Sequence, residues 1–153
     1  MVNTSAHGKG PAREERVAGA TRKEAQTKDF LVESDVIIDF LKGVEGAKSA
    51  LERAADSGVL RVSAVSAAEV MAASSRSSQE ATGSLLGSFG IVPVDKEVAL
   101  LAGLLLSDGA RDGFELGDCI VAAACSKLGA VLVTRGKRRY PEIDLELQIA
   151  SYE

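Results

Sequence analysis

The sequence predicts an α/β domain in which helices cover both faces of a parallel central sheet. Short apolar runs alternate along the chain with longer segments whose apolar residues recur at helical spacing. Strands that alternate with helices imply right-handed crossovers and hence parallel pairing. The length of 153 residues fits one domain, and 46% apolar with 26% charged residues is the composition of a globular protein.

Residues 1–28 differ in composition from the rest of the chain. They are rich in Gly, Ala, Lys, Arg, Glu and Thr, with scattered apolar positions, which predicts a flexible N-terminal leader. A later true start would explain the same composition equally well. The domain itself is expected to cover residues 29–153.

Each element of the domain is predicted from its apolar pattern. Runs of the length of buried strands occur at residues 30–32, 59–64, 91–94, 130–133 and 145–149. Helical spacing occurs at residues 36–41, 47–55, 66–74, 79–89, 96–108 and 115–128. Three helix ends carry capping residues: Ser66 with Glu69 has the spacing of a capping box, Asp95 is an N-cap, and Gly129 is a C-terminal stop.

The composition argues against several kinds of site. The one histidine, His7, lies in the leader, so a histidine base, a Ser-His-Asp triad and a His-rich zinc site are hard to build. Cys119 and Cys125 are six positions apart on one predicted helix, about 9 Å along its axis, which is too far for a disulfide. Since no apolar run approaches the roughly 20 residues that span a bilayer, a reduced cytoplasmic protein without membrane contact is expected.

The charge distribution allows RNA binding through a local patch. The formal net charge of −4 is not that of a typical nucleic-acid-binding protein. Arg135, Lys137, Arg138 and Arg139 form a dense basic cluster near the predicted sheet edge. The cluster is either a solvated loop or a site for RNA phosphates.

Polar residues collect where the predicted strands end, which is where ligands bind in an open α/β sheet. They are Glu33, Ser34, Asp35, Glu69, Asp118, Thr134 and Arg135. Carboxylates gathered at one edge repel each other and call for a cation, and oxygen ligands without His or Cys favour Mg²⁺ or Mn²⁺ over Zn²⁺. Such a cation lowers the pKa of its bound water and polarises a phosphoryl oxygen, which suits phosphodiester hydrolysis without a histidine.

Simpler interpretations exist for several of these residues. Glu69 would also serve as a capping-box glutamate, and Asp118 as a charge stabilised by a helix N-terminus. Ser34 and Thr134 are either structural caps or contacts to phosphate and metal-held water. Asp39 is expected on an exposed helix face and is not counted as a site residue.

Four segments resemble the motifs of PIN-domain proteins, especially VapC-type toxins. They are residues 30–43, 62–70, 116–124 and 132–141, in the family's order and at suitable spacing. The resemblance extends over about residues 30–149. It implies a three-layer PIN-like fold with a five-stranded parallel sheet, endoribonuclease activity on RNA with Mg²⁺ or Mn²⁺, frequent homodimers and a cognate antitoxin.

Two positions depart from the family pattern. Glu69 and Asp118 match its acidic positions, but Glu33 stands where the family carries its first aspartate, and Gly136 where it carries Asp or Asn. Glutamate adds a methylene, which moves the carboxylate by more than the roughly 0.5 Å that a preorganised site tolerates. Asp35 could supply the missing ligand. Loss of a carboxylate at Gly136 would weaken a second metal and leave a one-metal or impaired enzyme.

The sequence therefore predicts a metal-dependent ribonuclease of toxin type. The predicted roles are catalysis for Glu33, Glu69 and Asp118, metal ligation for Glu33, Asp35 and Asp118, and substrate binding for Ser34, Thr134 and Arg135. The alternative is a catalytically impaired PIN domain that binds RNA or a protein without cutting.

Overall fold

A five-stranded parallel sheet forms the centre of the molecule. Its strands are β1 (Lys28–Val32), β2 (Gly58–Ser63), β3 (Gly90–Val92), β4 (Val131–Thr134) and β5 (Gln148–Ser151). They lie in the order β3-β2-β1-β4-β5, and every neighbouring pair is parallel. The computed structural model describes residues 27–109, 113–135, 140 and 148–152. The leader predicted for residues 1–28 therefore lies outside the described residues except at its last two positions, and β1 already begins at Lys28.

Helices pack against both faces of this sheet and confirm the predicted α/β class. They are α1 (Ser34–Leu41), α2 (Glu45–Ser57), α3 (Ala64–Ala73), α4 (Gln79–Gly87), α5 (Lys96–Gly109) and α6 (Leu116–Leu128), with a 3₁₀ turn at Arg76–Ser78. Within the described ranges, each helix is too short or too polar to cross a membrane.

The central strand β1 is buried on both faces, which explains its continuous apolar run. Val32 belongs to a core cluster that includes Val36 of α1 and Leu51 of α2. Leu31 points to the other face and belongs to a second cluster, with Val98 of α5 and Ala122 of α6 among its members. Because successive side chains alternate across a strand, one short segment holds the two helical layers together.

The start of α3 corrects one prediction. The N-cap is Ser63, whose hydroxyl accepts the N–H of Val65 at 3.4 Å, and not Ser66. Because Ser63 is the last residue of β2, the helix begins as soon as the strand ends. Glu69 is consequently the sixth residue of the helix rather than the third, so the capping-box interpretation of Glu69 is wrong.

Other element ends agree with the predictions to within a few residues. Asp95 caps α5 as expected, since its Oδ1 accepts the N–H of Val98 at 2.9 Å. Gly129 follows α6 with a φ of 61°, a left-handed conformation that glycine adopts without strain. The fifth strand spans Gln148–Ser151 instead of residues 145–149, and residues 145–147 lie outside the described part of the chain.

Candidate active site

Glu33 lies at the carboxyl end of β1, in the N-cap position of α1. Its backbone N–H donates to the carbonyl of Val133 at 3.0 Å, which continues the pairing of β1 with β4 beyond the strand end. Only 3% of the residue is exposed. Thr134 and Tyr140 donate their hydroxyl hydrogens to its carboxylate, one to each oxygen. Glu33 is therefore a buried carboxylate whose orientation is fixed from two sides.

Asp118 is the third residue of α6 and is 7% exposed. Its Oδ2 accepts the N–H of Glu115 at 3.0 Å, and the Glu115 side chain accepts the N–H of Asp118 in return. The helix N-terminus thus stabilises this carboxylate, as the simpler interpretation proposed. The reciprocal hydrogen bonds also hold Asp118 in one orientation at the start of the helix.

Glu69 is an exposed residue of α3 whose carboxylate lies beside the start of α6. A Cβ placed on Gly117 would be 3.9 Å from Oε1 of Glu69. A distance of 3.9 Å is an ordinary van der Waals contact, so the side chain of Glu69 reaches the first turn of α6. Oε1 of Glu69 therefore lies near Gly117, the residue before Asp118, although Glu69 and Asp118 are 49 positions apart in the chain.

Ser66 lies one helical turn before Glu69 and so on the same side of α3. It is 1% exposed, and its hydroxyl has no hydrogen-bond partner among the residues that the structure describes. A buried hydroxyl without a partner costs about 1–3 kcal/mol. A polar group near Glu69, such as a water held by a cation, would satisfy this hydroxyl.

The predicted three-carboxylate ligand set is not assembled in the described residues. Among the described residues between positions 27 and 152, no group of three or more Asp, Glu, His or Cys side chains is arranged to hold a metal ion. Asp35 instead forms an ion pair with Arg135, with 3.8 Å between Oδ2 and Nη2. Mg²⁺ is usually held by one or two carboxylates with waters completing its shell, so the carboxylate oxygens of Glu33 and Asp118 are of the chemical kind that suits such an ion.

Arg135 binds a carboxylate that the sequence analysis set aside. Its Nη1 donates to both oxygens of Asp39, at 2.9 and 3.0 Å, and the hydroxyl of Tyr152 donates to Asp39 Oδ2 at 2.7 Å. The expectation that Asp39 is exposed is wrong, because α1 turns this residue towards the ends of β4 and β5. The Asp39 carboxylate raises the pKa of Arg135, while burial, followed by the hydrogen bond to Asp39, raises the pKa of Tyr152.

The three predicted substrate contacts have different surroundings. Thr134 is fully buried and donates its hydroxyl hydrogen to Glu33, so the observed contact of Thr134 is one that supports the Glu33 carboxylate. Ser34 is buried at the start of α1. Half of the Arg135 side chain is exposed, and its contact with RNA stays a prediction. Gly136 and the basic residues that follow it, Lys137, Arg138 and Arg139, lie outside the described residues.

Tyr140 is the site residue that sequence reasoning missed. It is 3% exposed, and its ring packs on Phe114 with 6.2 Å between ring centroids and 27° between ring planes. Its place in the segment 132–141 was visible in the sequence, but a tyrosine after a basic loop does not indicate which carboxylate its hydroxyl will contact.

Neither cysteine is a candidate nucleophile. Cys119 and Cys125 are free and buried, which confirms their predicted place in the core. Burial, followed by the charge of Asp118, raises the pKa of Cys119. Burial raises the pKa of Cys125 to about 12. Both thiols therefore stay protonated near neutral pH, and the chemistry of this edge falls to carboxylates.

Three kinds of comparison show which known proteins this chain resembles. Residues 30–144 match the model of the PIN domain family. The chain is 32% identical over 114 residues to ribonuclease VapC10 of Mycobacterium tuberculosis, a match that covers 73% of this chain and 86% of that protein. A toxin–antitoxin complex from Klebsiella pneumoniae contains a chain of similar structure, with a TM-score of 0.68, 25% identity, and coverage of 80% of this chain and 98% of that one. VapBC2 from Rickettsia felis, solved bound to a promoter DNA fragment, has the same fold with a TM-score of 0.66, 17% identity, and coverage of 82% and 99%.

Proposed function

Because this chain belongs to the PIN domain family, we propose that it is an endoribonuclease of the toxin–antitoxin type that hydrolyses RNA with a divalent cation. The observation that supports the proposal is that a PIN-like parallel sheet carries one buried carboxylate directly after its central strand and another at the start of α6. Glu33 is fixed by two hydroxyl groups, and Asp118 by a capping box. The similarity to a protein named as a ribonuclease supports the same reaction.

Glu33 and Asp118 are the proposed cation ligands, with Glu69 beside them. A divalent cation held there would lower the pKa of a water molecule, so that its conjugate base could attack a phosphodiester near neutral pH, and would stabilise negative charge on the phosphoryl oxygen. Glu69 is more exposed than the other two and lies next to Gly117, so it is placed to orient an incoming water or accept its proton. Mg²⁺ is the favoured ion and Mn²⁺ the alternative, because both prefer oxygen ligands.

A cognate antitoxin and a second copy of the chain are the proposed protein partners. The antitoxin is supported by similarity to a protein solved as part of a toxin–antitoxin complex. The homodimer follows from the family resemblance alone. Ser34 and Arg135 remain proposed contacts for RNA, and the half-exposed guanidinium of Arg135 is compatible with a phosphate contact in addition to its bond with Asp39.

The test compares two aspartates that occupy similar places at helix starts. Asp118→Asn keeps a side-chain oxygen for the N–H of Glu115 but removes the charge, so the fold should persist while cleavage of RNA with Mg²⁺ falls by at least about 100-fold, as for loss of other catalytic groups. Asp95→Asn makes the same change at the cap of α5, where the carboxylate pairs with Lys127 in the last turn of α6, at the other end of that helix from Asp118. It should cleave RNA like the wild type. Equal activity of wild type and Asp118→Asn would refute the assignment.

A PIN domain that binds RNA or a protein without cutting it is the second candidate. The observation that favours it is that no three-member ligand group occurs within the part of the chain that the structure describes. RNA retained by the wild-type protein but left intact with Mg²⁺ and with Mn²⁺ would establish this candidate instead.

A further inference from the structure

The hydroxyl of Tyr140 is directed at the carboxylate on which the proposed cation site depends. It lies 2.5 Å from Oε1 of Glu33, and both residues are 3% exposed. Thr134 donates to the opposite oxygen, Oε2. A carboxylate that receives one donor on each oxygen cannot rotate about its last bond without breaking a hydrogen bond. The two donors therefore set the plane of the carboxylate as well as its position.

This restraint matters more for a glutamate than for an aspartate. Glu33 has one more rotatable bond than an aspartate would have, so its oxygens reach further and have more orientations to lose on binding a cation. Metal sites require their ligands to stay within about 0.5 Å of the productive geometry. A hydrogen-bond donor that fixes the longer side chain would offset this disadvantage.

Tyr140 is itself held in place by the segment that leads into α6. Its ring packs on Phe114, which is buried and precedes the capping residue Glu115. Glu115 in turn forms the capping box with Asp118. One chain of contacts thus joins Glu33, Tyr140 and Phe114 to the helix start that carries Asp118. The orientation of one proposed ligand is coupled to the segment that positions the other.

We infer that Tyr140 is a positioning residue that holds the Glu33 carboxylate in the orientation in which it binds a divalent cation. The inference rests on the proposed function in that Glu33 is taken as a cation ligand. Tyrosine is required at position 140 because the residue at position 33 is a glutamate. An aspartate at 33 would withdraw the carboxylate from the Tyr140 hydroxyl by about one carbon–carbon bond length, ~1.5 Å, and would no longer depend on it.

The first measurement is Mn²⁺ affinity, determined from the electron paramagnetic resonance signal of the free ion. Tyr140→Phe should weaken binding by about 10- to 100-fold, the usual effect of losing a group that orients a metal ligand. In a Glu33→Asp background the same substitution should change affinity by less than about twofold, because the contact is already absent. Tyr152→Phe is the matched control, since it removes a buried hydroxyl from Asp39 instead. It should bind Mn²⁺ like the wild type.

The second measurement does not need the Tyr140→Phe variant to fold. The chain has two tyrosines and no tryptophan, so Tyr152→Phe leaves Tyr140 as the one source of intrinsic emission. Addition of Mg²⁺ should change that emission in a saturable way.

The results separate this inference from the proposed function. Four results would each overturn the inference. They are an Mn²⁺ affinity that Tyr140→Phe leaves unchanged, an equal loss of affinity in the wild-type and Glu33→Asp backgrounds, Tyr140 emission that does not change with Mg²⁺, and a wild-type protein that binds no Mn²⁺. Coupling between the two residues in a protein that cleaves no RNA would support the inference and reject the nuclease. Cleavage of RNA without this coupling would support the nuclease and reject the inference.

Discussion

Replacing Arg135 by methionine tests whether this residue stabilises the fold. Methionine keeps much of the aliphatic side chain but removes the guanidinium, which donates two hydrogen bonds to Asp39 at 2.9 and 3.0 Å. The Asp39 side chain is 9% exposed, so its charge would lose its cationic partner while remaining largely shielded from water. Tyr152 would still donate one hydrogen bond to it.

The magnitude follows from how much of the pair is buried. Breaking a fully buried ion pair costs about 3–5 kcal/mol, because one charge is left behind. The Arg135 side chain is 50% exposed, so water can partly replace it. The expected loss is therefore about 2–3 kcal/mol of unfolding free energy, or about 4–12 °C in Tm for a chain of this size.

Urea unfolding of paired variants measures this loss. Arg61→Met is the matched control, because Arg61 pairs with an aspartate, Asp29, whose side chain is 27% exposed and accepts one bond at 3.0 Å. Its loss should be at most about 1 kcal/mol. Asp39→Asn combined with Arg135→Met should recover part of the stability, since the buried charge is then gone. Arg135→Met and Arg61→Met with equal effects would refute the argument from burial.

Two further predictions concern buried polar groups. Ser66→Ala should raise the unfolding free energy of the metal-free protein by up to about 1 kcal/mol, because it removes a buried hydroxyl that lacks a partner in the described residues; an unfolding free energy below that of the wild type in urea would contradict this. Burial raises the pKa of Cys125 from 9.0 to about 12, so the folded state favours the neutral thiol. The contribution of this thiol to the unfolding free energy is complete below pH 9 and is lost as pH rises towards 12, by up to about 1.4 kcal/mol per pH unit. Unfolding free energy should therefore fall more steeply over this range in the wild type than in Cys125→Ala, and parallel curves would show that the thiol does not contribute.

The class of the fold and the order of its elements could be predicted because they depend on patterns that lie within short segments. A buried strand such as β1 needs a continuous apolar run, and an amphipathic helix such as α5 needs apolar residues at helical spacing. Both patterns are visible without knowledge of the rest of the chain. The start of α3 was misplaced because Ser63 and Ser66 are both good N-caps, and where β2 ends decides between them.

The supporting contacts of the site could not be predicted because they join distant parts of the chain. Glu33 receives its hydrogen bonds from residues 101 and 107 positions away, Thr134 and Tyr140. Asp39 receives its own from Arg135 and Tyr152, 96 and 113 positions away. Periodicity placed Asp39 on the solvent side of α1, because the pattern of one helix does not show that a C-terminal tyrosine and an arginine cover that side.

Two buried carboxylates that follow β1, those of Glu33 and Asp39, receive different kinds of hydrogen-bond donor. Arg135 carries a positive charge and neutralises Asp39 through two hydrogen bonds. Thr134 and Tyr140 bring uncharged hydroxyl donors to the Glu33 carboxylate, one to each oxygen. A divalent ion at Asp39 would have to displace the guanidinium of Arg135 first, which makes Asp39 the weaker candidate for a cation ligand.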